Sequence, residues 1–155
     1  MRVEQFVERD PLVVHPDDSA GMAASLMTEQ RLTALPVVDE QGQLAGMVRD
    51  TDILSLLLPD YLENLSDLGF IPGDLEPGSC TLSDVCGMPV KAALEVVHDY
   101  AVGENEPVLE AVRLMSKRCL TVLPVVRDGQ LVGIIRAESV LRRIAELSQE
   151  AGQPS

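Results

Sequence analysis

The chain carries one pattern twice. Residues 23–38 recur 88 positions later as residues 111–126, and nine of the sixteen positions are identical. The identical positions in the first copy are Ala23, Leu26, Met27, Leu32, Thr33, Leu35, Pro36, Val37 and Val38. Beyond them the second copy drops one residue, so that Gly42 matches Gly129 and Arg49 matches Arg136. A duplication of this kind predicts two similar halves related by a pseudo-twofold axis, with any cleft between them built from both.

Composition excludes several classes of function. The net charge of −13 over 155 residues argues against nucleic-acid binding and against anionic membranes, because both need clustered Lys and Arg. The longest apolar run, residues 53–58, is too short for membrane insertion, and the charged N-terminus has no signal-peptide pattern. The three cysteines, Cys80, Cys86 and Cys119, lack metal-ligand spacing. We therefore expect a cytoplasmic protein with reduced thiols.

Each half reads as strand, helix, strand, strand, helix, an α/β pattern. Apolar runs, turn residues and helical spacing predict strands at 12–14, 33–39 and 44–48 and helices at 20–31 and from Asp50, then strands at 100–103, 121–126 and 131–135 and helices at 108–118 and 137–148. These elements give one motif over residues 2–54, a second over 91–148 and a frayed tail over 149–155.

Residues 55–90 belong to neither copy. Thr81 and Asp84 have the spacing of a capping box, which predicts a short helix after Thr81. The stretch is either a spacer between the halves or a lid or partner-docking element, since long insertions in compact domains are often functional.

The chain resembles a pair of cystathionine-β-synthase (CBS) motifs, the arrangement called a Bateman module. The resemblance rests on three pieces that each occur twice in the correct order. They are the opening strand with the residues after it (14–17 and 102–105), the strand that ends in Pro-Val-Val (33–38 and 121–126), and the glycine-led strand that enters the second helix (46–52 and 133–139). The resemblance implies two β-α-β-β-α motifs that pack about a pseudo-twofold axis.

The resemblance also implies two clefts that each hold an adenosine-containing ligand, either AMP, ADP, ATP or S-adenosylmethionine. In the family a glycine is followed by two apolar residues, Ser or Thr, two variable residues, and Asp or Asn. This pattern places Asp52 where a carboxylate accepts the ribose hydroxyls, and Arg49 where the family has Ser or Thr. A guanidinium there would bind phosphate strongly. The other residues assigned to this first cleft are Val14, His15, Thr33, Leu35, Pro36 and Met47.

The second cleft departs from the pattern, because Ser139 replaces the acid after Arg136. A hydroxyl cannot accept two ribose hydroxyls, so we expect a weaker site. The other residues assigned to it are Val102, Thr121, Leu123 and Pro124. The residue types also allow other interpretations: Asp52 as a surface acid that stabilises the helix dipole, and the two arginines as solvated or paired with neighbouring acids.

The function that follows is a free-standing regulatory module that binds an adenine nucleotide, forms a homodimer and signals in trans to a partner protein. Family analogy makes that effector a transporter or a metabolic enzyme. The alternative is a ligand-free scaffold for dimerisation or interaction. We expect neither catalysis nor a bound metal nor an obligatory cofactor, because the sequence holds no phosphate loop, no nucleophile motif and no metal-ligand cluster.

Overall fold

We describe the protein from a computed structural model, which covers residues 1–58, 81–94 and 100–152. Its elements, in chain order, are β1 (Glu8–Arg9), α1 (Ala20–Gln30), β2 (Ala34–Val38), β3 (Leu44–Arg49), α2 (Asp50–Ser55), α3 (Leu82–Cys86), β4 (Val102–Gly103), α4 (Val108–Arg118), β5 (Val122–Arg127), β6 (Gln130–Arg136) and α5 (Ala137–Gly152). Two 3-10 turns, Val3–Gln5 and Val90–Ala92, precede the two halves. The α/β class is confirmed, and the order helix, strand, strand, helix occurs in both halves.

Each half is built on an antiparallel hairpin, β2–β3 in the first and β5–β6 in the second. Both hairpins turn at a glycine with a φ of 80°, Gly42 and Gly129, a conformation that side chains with a Cβ rarely adopt. The register of each hairpin shifts by one residue at the same place, next to Val38 and Val126. The sequence repeat is therefore a repeat of backbone geometry.

The predicted opening strand of the first half is wrong. Residues 12–14 form no strand, and Val14 alone makes a parallel bridge, to Val37. Its N–H donates to the carbonyl of Pro36 at 3.0 Å, and its carbonyl accepts from Val38 at 3.0 Å. The chain turns immediately afterwards, because the N–H of Asp18 donates to the carbonyl of His15. In the second half the equivalent strand, β4, is two residues long.

A single hydrophobic core joins the halves. Its largest fully buried members are Leu35, Leu123, Ile135, Val3, Val14, Val37, Val48, Val90, Val102 and Val125. These residues come from both hairpins, from both 3-10 turns and from the segments that open each half at Val14 and Val102, and they form one cluster. Within the described residues, neither half has a core of its own.

The segment that precedes each half packs on the other half. Residues 1–9, here called the N-terminal strap, lie on the second half: β1 pairs with β6, and the N–H of Val3 donates to the carbonyl of Glu106 at 2.9 Å. Residues 81–94, the middle strap, lie on the first half, where the N–H of Val90 donates to the carbonyl of Asp18 at 2.7 Å. The halves are thus strapped together crosswise.

The middle strap includes the end of the stretch that the sequence assigned to neither half. The predicted capping box is present, because the Thr81 hydroxyl accepts from the Asp84 N–H and the Asp84 carboxylate accepts from the Thr81 N–H. Helix α3 follows it and packs on α1. Val85 and Val90 are buried in the common core, so this part of the stretch is structural. Earlier in the same stretch, the spacing of Tyr61, Leu62, Leu65 and Leu68 after Pro59 predicts a short helix, which lies outside the described residues.

Helix α5 runs four residues past its predicted end at Ser148. Glycine and proline are missing between Ala137 and Ala151, and charged pairs one turn apart, such as Glu138 with Arg142 at 2.9 Å, support the helix. None of its residues is buried. Its apolar side chains Leu141, Ile144 and Leu147 are exposed by 63%, 58% and 43%. The helix therefore presents an uncovered apolar face.

Candidate functional site

The site begins where β3 ends and α2 begins. Arg49 has extended backbone angles and caps α2, whose third residue is Asp52. The N–H of Arg49 donates to Oδ2 of Asp52 at 2.8 Å, as in a capping box that uses a carboxylate. The N–H of Asp50 donates to the carbonyl of Thr33 at 2.8 Å, which ties the start of α2 to the start of β2. Short local bonds thus hold the predicted ligand-binding residues in place.

The guanidinium of Arg49 pairs with Asp52 through both carboxylate oxygens. Nε lies 3.2 Å from Oδ2, and Nη2 lies 3.1 Å from Oδ1. The Asp52 side chain is 11% exposed and the Arg49 side chain 31%. The interpretation of Asp52 as a surface acid is therefore wrong, whereas the interpretation of Arg49 as paired with a neighbouring acid is confirmed.

A cavity of about 380 Å³ lies beside this pair, between the two halves. It is lined by Thr33, Ala34, Arg49, Asp50 and Thr51 from the first half and by Cys119, Leu120 and Thr121 from the second. The hydroxyls of Thr33 and Thr121 are 2.7 Å apart. Because these two threonines are equivalent in the repeat, their contact lies on the pseudo-twofold axis. We call this cavity the first cleft.

The structure brings only part of the predicted first-cleft set to the cavity. Thr33 and Arg49 line it, and Asp52 lies behind Arg49. The remaining predicted members, Val14, His15, Leu35, Pro36 and Met47, are not among its lining residues. Apart from His15, these side chains are buried in the core. His15 is exposed, and its N–H donates to the carboxylate of Asp18 at 2.8 Å.

Comparison with known proteins decides the family. The family model for the CBS domain matches residues 3–59 and 87–146, which is most of the chain. The chain belongs to the CBS domain family. It carries two CBS motifs in tandem, as the resemblance implied.

Among the relatives is the chloroplast CBS domain-containing protein CBSX2 of Arabidopsis thaliana, 31% identical over 147 residues. The match covers 89% of this chain and 60% of that protein, so the chain spans less than two thirds of this relative's length. The crystal structure of CBSX2 in complex with AMP superposes with a TM-score of 0.69 at 27% identity, covering 95% of this chain and 98% of that one.

A second solved structure confirms the fold. The CBS domain pair of protein MJ0100, in complex with 5′-methylthioadenosine and S-adenosyl-L-methionine, superposes with a TM-score of 0.68 at 22% identity. The alignment covers 94% of this chain and 97% of that one. Two β-α-β-β-α motifs that pack about a pseudo-twofold axis are thus the shared architecture.

The second CBS motif holds its arginine differently. Nε of Arg136 lies 3.3 Å from the carboxylate of Glu8, in the N-terminal strap, and Nη1 lies 3.9 Å from Glu138. Ser139 is half-buried one turn along α5. The side chains of the predicted members Val102, Leu123 and Pro124 are fully buried, and Thr121 lines the first cleft instead.

Sequence reasoning missed the part of the first cleft that comes from across the axis. Cys119 and Leu120 line the cavity although they belong to the second motif. Cys119 ends α4 with a φ of 54°, and its equivalent Arg31 ends α1 with a φ of 53°. The repeat would have signalled this, because residues just before Thr121 must meet those near Thr33 at the axis. Asp50, where the sequence predicts the start of a helix, also lines the cavity, as does the next residue, Thr51.

Cys86 and Cys119 are free thiols, and Cys80 lies outside the described residues. In residues 1–58, 81–94 and 100–152, His, Cys, Asp and Glu nowhere gather in groups of three that could hold a metal ion. Every helix in that same part of the chain is too short or too polar to span a bilayer.

Proposed function

We propose that the chain is a regulatory module that binds an adenosine-containing ligand in the first cleft. The observation that carries the proposal is the cavity between the two CBS motifs, with Arg49 on its wall and the Asp52 carboxylate directly behind. A guanidinium and a carboxylate side by side offer a phosphate donor set and a ribose acceptor in one place. The AMP complex of the relative CBSX2 supports this class of ligand.

The roles of the residues follow from their chemistry. Asp52 accepts the two ribose hydroxyls, and Arg49 binds phosphate. Thr33, at the axis, offers a hydroxyl to the same ligand. The adenine ring would reach Val14, His15, Leu35, Pro36 and Met47 only if the cleft opens beyond the cavity described, because most of these side chains are buried. Binding at these positions therefore requires a rearrangement that a partner can read.

The second cleft, around Arg136 and Ser139, binds the ligand more weakly or not at all. Ser139 lacks the second acceptor oxygen, and Arg136 is occupied by Glu8 of the N-terminal strap. A phosphate would have to displace that contact. We therefore assign one competent site to each chain.

The ligand class remains AMP, ADP, ATP or S-adenosylmethionine, and a thermal-unfolding panel distinguishes them. A ligand at a hundredfold over its Kd adds about 2.7 kcal/mol of stability. For a chain of this size the melting temperature should rise by about 5–10 °C. Asp52→Ala should abolish the rise, while Asp17→Ala, at an exposed acid outside the cleft, should keep it. A rise that survives in Asp52→Ala contradicts the assigned site.

A second candidate function, a ligand-free dimerisation scaffold, is favoured by the apolar face of α5. Three large side chains, Leu141, Ile144 and Leu147, are each exposed by 43% or more. Covering such a face is the ordinary reason for a helix to associate. We propose a homodimer through this face in either function. Ile144→Glu should convert the dimer to a monomer in sedimentation velocity, whereas Glu150→Lys at the polar end of the helix should not.

The output of the module is a change in the relative orientation of the two motifs that an effector reads. We propose a transporter or a metabolic enzyme as that effector, and a non-catalytic role for the CBS pair itself. Relatives of both kinds contain a matching region, among them a magnesium transporter of Thermus thermophilus and an inosine-5′-monophosphate dehydrogenase of Methanocaldococcus jannaschii. If no panel ligand raises the melting temperature of folded, nucleotide-free protein, the scaffold function stands alone.

A further inference from the structure

The Arg49–Asp52 pair occupies the groups that an adenosine ligand would need. Oδ2 of Asp52 already accepts from the Arg49 N–H and from Nε, and Oδ1 accepts from Nη2. Within the described structure, the ribose acceptor and the phosphate donor are thus bound to each other. A ligand must separate the two side chains before it can use either.

The positions of the two groups decide which one a ligand meets first. Arg49 lines the first cleft and Asp52 does not, and the Asp52 side chain is the more buried of the two. A ligand in the cavity therefore meets Arg49 before it meets the Asp52 carboxylate. Moving the guanidinium away without a replacement leaves the largely buried Asp52 carboxylate without its cation, which is costly.

From this geometry we infer that Arg49 and Asp52 form a latch that a ligand's phosphate opens. The inference rests on the proposed function of the first cleft. A phosphate accepts bidentate, charge-assisted hydrogen bonds from the guanidinium and so draws it away from Asp52. The freed carboxylate then accepts the ribose hydroxyls. The phosphate and the ribose must arrive on one molecule, because each half of the exchange compensates the other.

The charges around the cavity limit the ligand to a single phosphate group. Among the described residues that line the first cleft, Arg49 alone is basic and Asp50 alone is acidic. Each further phosphate adds negative charge beside the Asp50 carboxylate with no second cation to receive it, in a chain whose net charge is −13. The latch therefore selects a nucleoside monophosphate over the free nucleoside and over the triphosphate.

The test compares adenosine, AMP and ATP by isothermal titration on the full chain and on Arg49→Gln. The wild type should bind AMP about 10- to 100-fold more tightly than adenosine, the range expected for one charge-assisted contact. It should bind ATP more weakly than AMP. Arg49→Gln opens the latch, so adenosine should bind more tightly than to the wild type and the preference for AMP should fall to about threefold or less.

The matched control is Arg113→Gln. Arg113 makes the same bidentate contact with a carboxylate three residues away, that of Glu110. This pair lies on α4, outside the first cleft. This variant should keep the wild-type preference. A second measurement does not depend on how well Arg49→Gln folds: in the wild type, the Arg49 Nε–H NMR signal should shift on saturation with AMP and stay in place with inorganic phosphate at the same concentration.

The outcomes separate the latch from the proposed function. If AMP binds but Arg49→Gln weakens AMP and adenosine equally, or if the Nε–H signal does not move with AMP, the latch is wrong and the cleft stands. If ATP binds more tightly than AMP, the limit to one phosphate is wrong. If none of the three ligands binds either protein, the latch is wrong, and the thermal-unfolding panel with ADP and S-adenosylmethionine decides the proposed function.

Discussion

The two CBS motifs place equivalent arginines at the same turn and use them differently. Arg49 pairs with Asp52 on its own helix, whereas Arg136 pairs with Glu8 of the N-terminal strap. The difference follows from one position, since Ser139 stands where Asp52 stands in the first motif and offers no charge. A single change from carboxylate to hydroxyl thus turns a local pair beside a cleft into a contact between the halves.

The straps show the same asymmetry. The N-terminal strap is held by Glu104, a buried acid that pairs with Arg127 of its own half and with Arg9 of the strap at 3.5 Å. The middle strap is held by Lys91 and Asp17, both largely exposed, at 2.9 Å. In the second half, Glu104 and Arg136 thus pair with residues of the N-terminal strap. In the first half, Arg49 and Asp52 pair with each other beside the cleft.

The largest expected effect tests whether the two halves unfold together or independently. Leu35→Ala and Leu123→Ala remove equivalent, fully buried side chains, and each should lower the free energy of unfolding by about 2–5 kcal/mol. Because the core is one cluster, urea should unfold each variant in a single transition. Amide NMR signals from each half, recorded along the urea titration, measure this. Loss of one half's signals at a lower urea concentration would contradict a common core.

A smaller effect tests the contact between the N-terminal strap and β6. A Cβ at Gly133 would overlap the carbonyl oxygen of Glu8 and lie 2.6 Å from Cγ2 of Val7. Gly133→Ala should therefore push the strap away and cost about 1–3 kcal/mol in urea denaturation. Gly87→Ala is the control, since a Cβ there meets nothing within 4 Å. Equal stabilities of the two variants would show that the strap contributes little.

The charges that hold the two straps should differ in strength. Glu104→Gln removes the charge from a carboxylate whose side chain is 7% exposed, and should cost about 1–2 kcal/mol. Asp17→Asn removes the charge from a side chain that is 86% exposed, and should lower the free energy of unfolding by less than about 0.5 kcal/mol. Thermal unfolding at low and high salt checks both, and similar losses for the two variants would remove the asymmetry.

The smallest effect concerns the capping box of α3, in the middle strap. Hydrogen bonds from the N–H and the hydroxyl of Thr81 lower the pKa of Asp84 below its ordinary value of 3.8. A lowered pKa stabilises the fold above the unfolded-state value, and this is lost as pH falls through the folded-state value. Asp84→Asn should thus melt below the wild type at pH 7, and the gap should close below about pH 3.8. A gap that persists there would mean that charge is not the cause.

Sequence reasoning recovered the hairpins and helices because each carries its own periodic pattern, and the repeat confirmed each one by a second copy. The straps escaped it. Val3 and Val90 are single valines among unpatterned neighbours, and their burial depends wholly on the opposite half. At the site, the local spacing of Arg49 and Asp52 was readable, but the sequence left open whether Arg49 is solvated or paired with a neighbouring acid. The contribution of Cys119 came from across the axis, where local sequence says nothing.

The crosswise straps also bear on how such a chain can be divided. The segment that repeats in the sequence does not make a complete half by itself. Each half is completed by the strap that precedes the opposite half in the sequence. A polypeptide with one copy would lack the strap that packs on it, so part of its core would be exposed. Its own strap would have no half to pack on. Two such polypeptides would complete each other by trading straps. Cleavage between residues 58 and 81 should likewise yield two pieces that remain bound as a complementing pair.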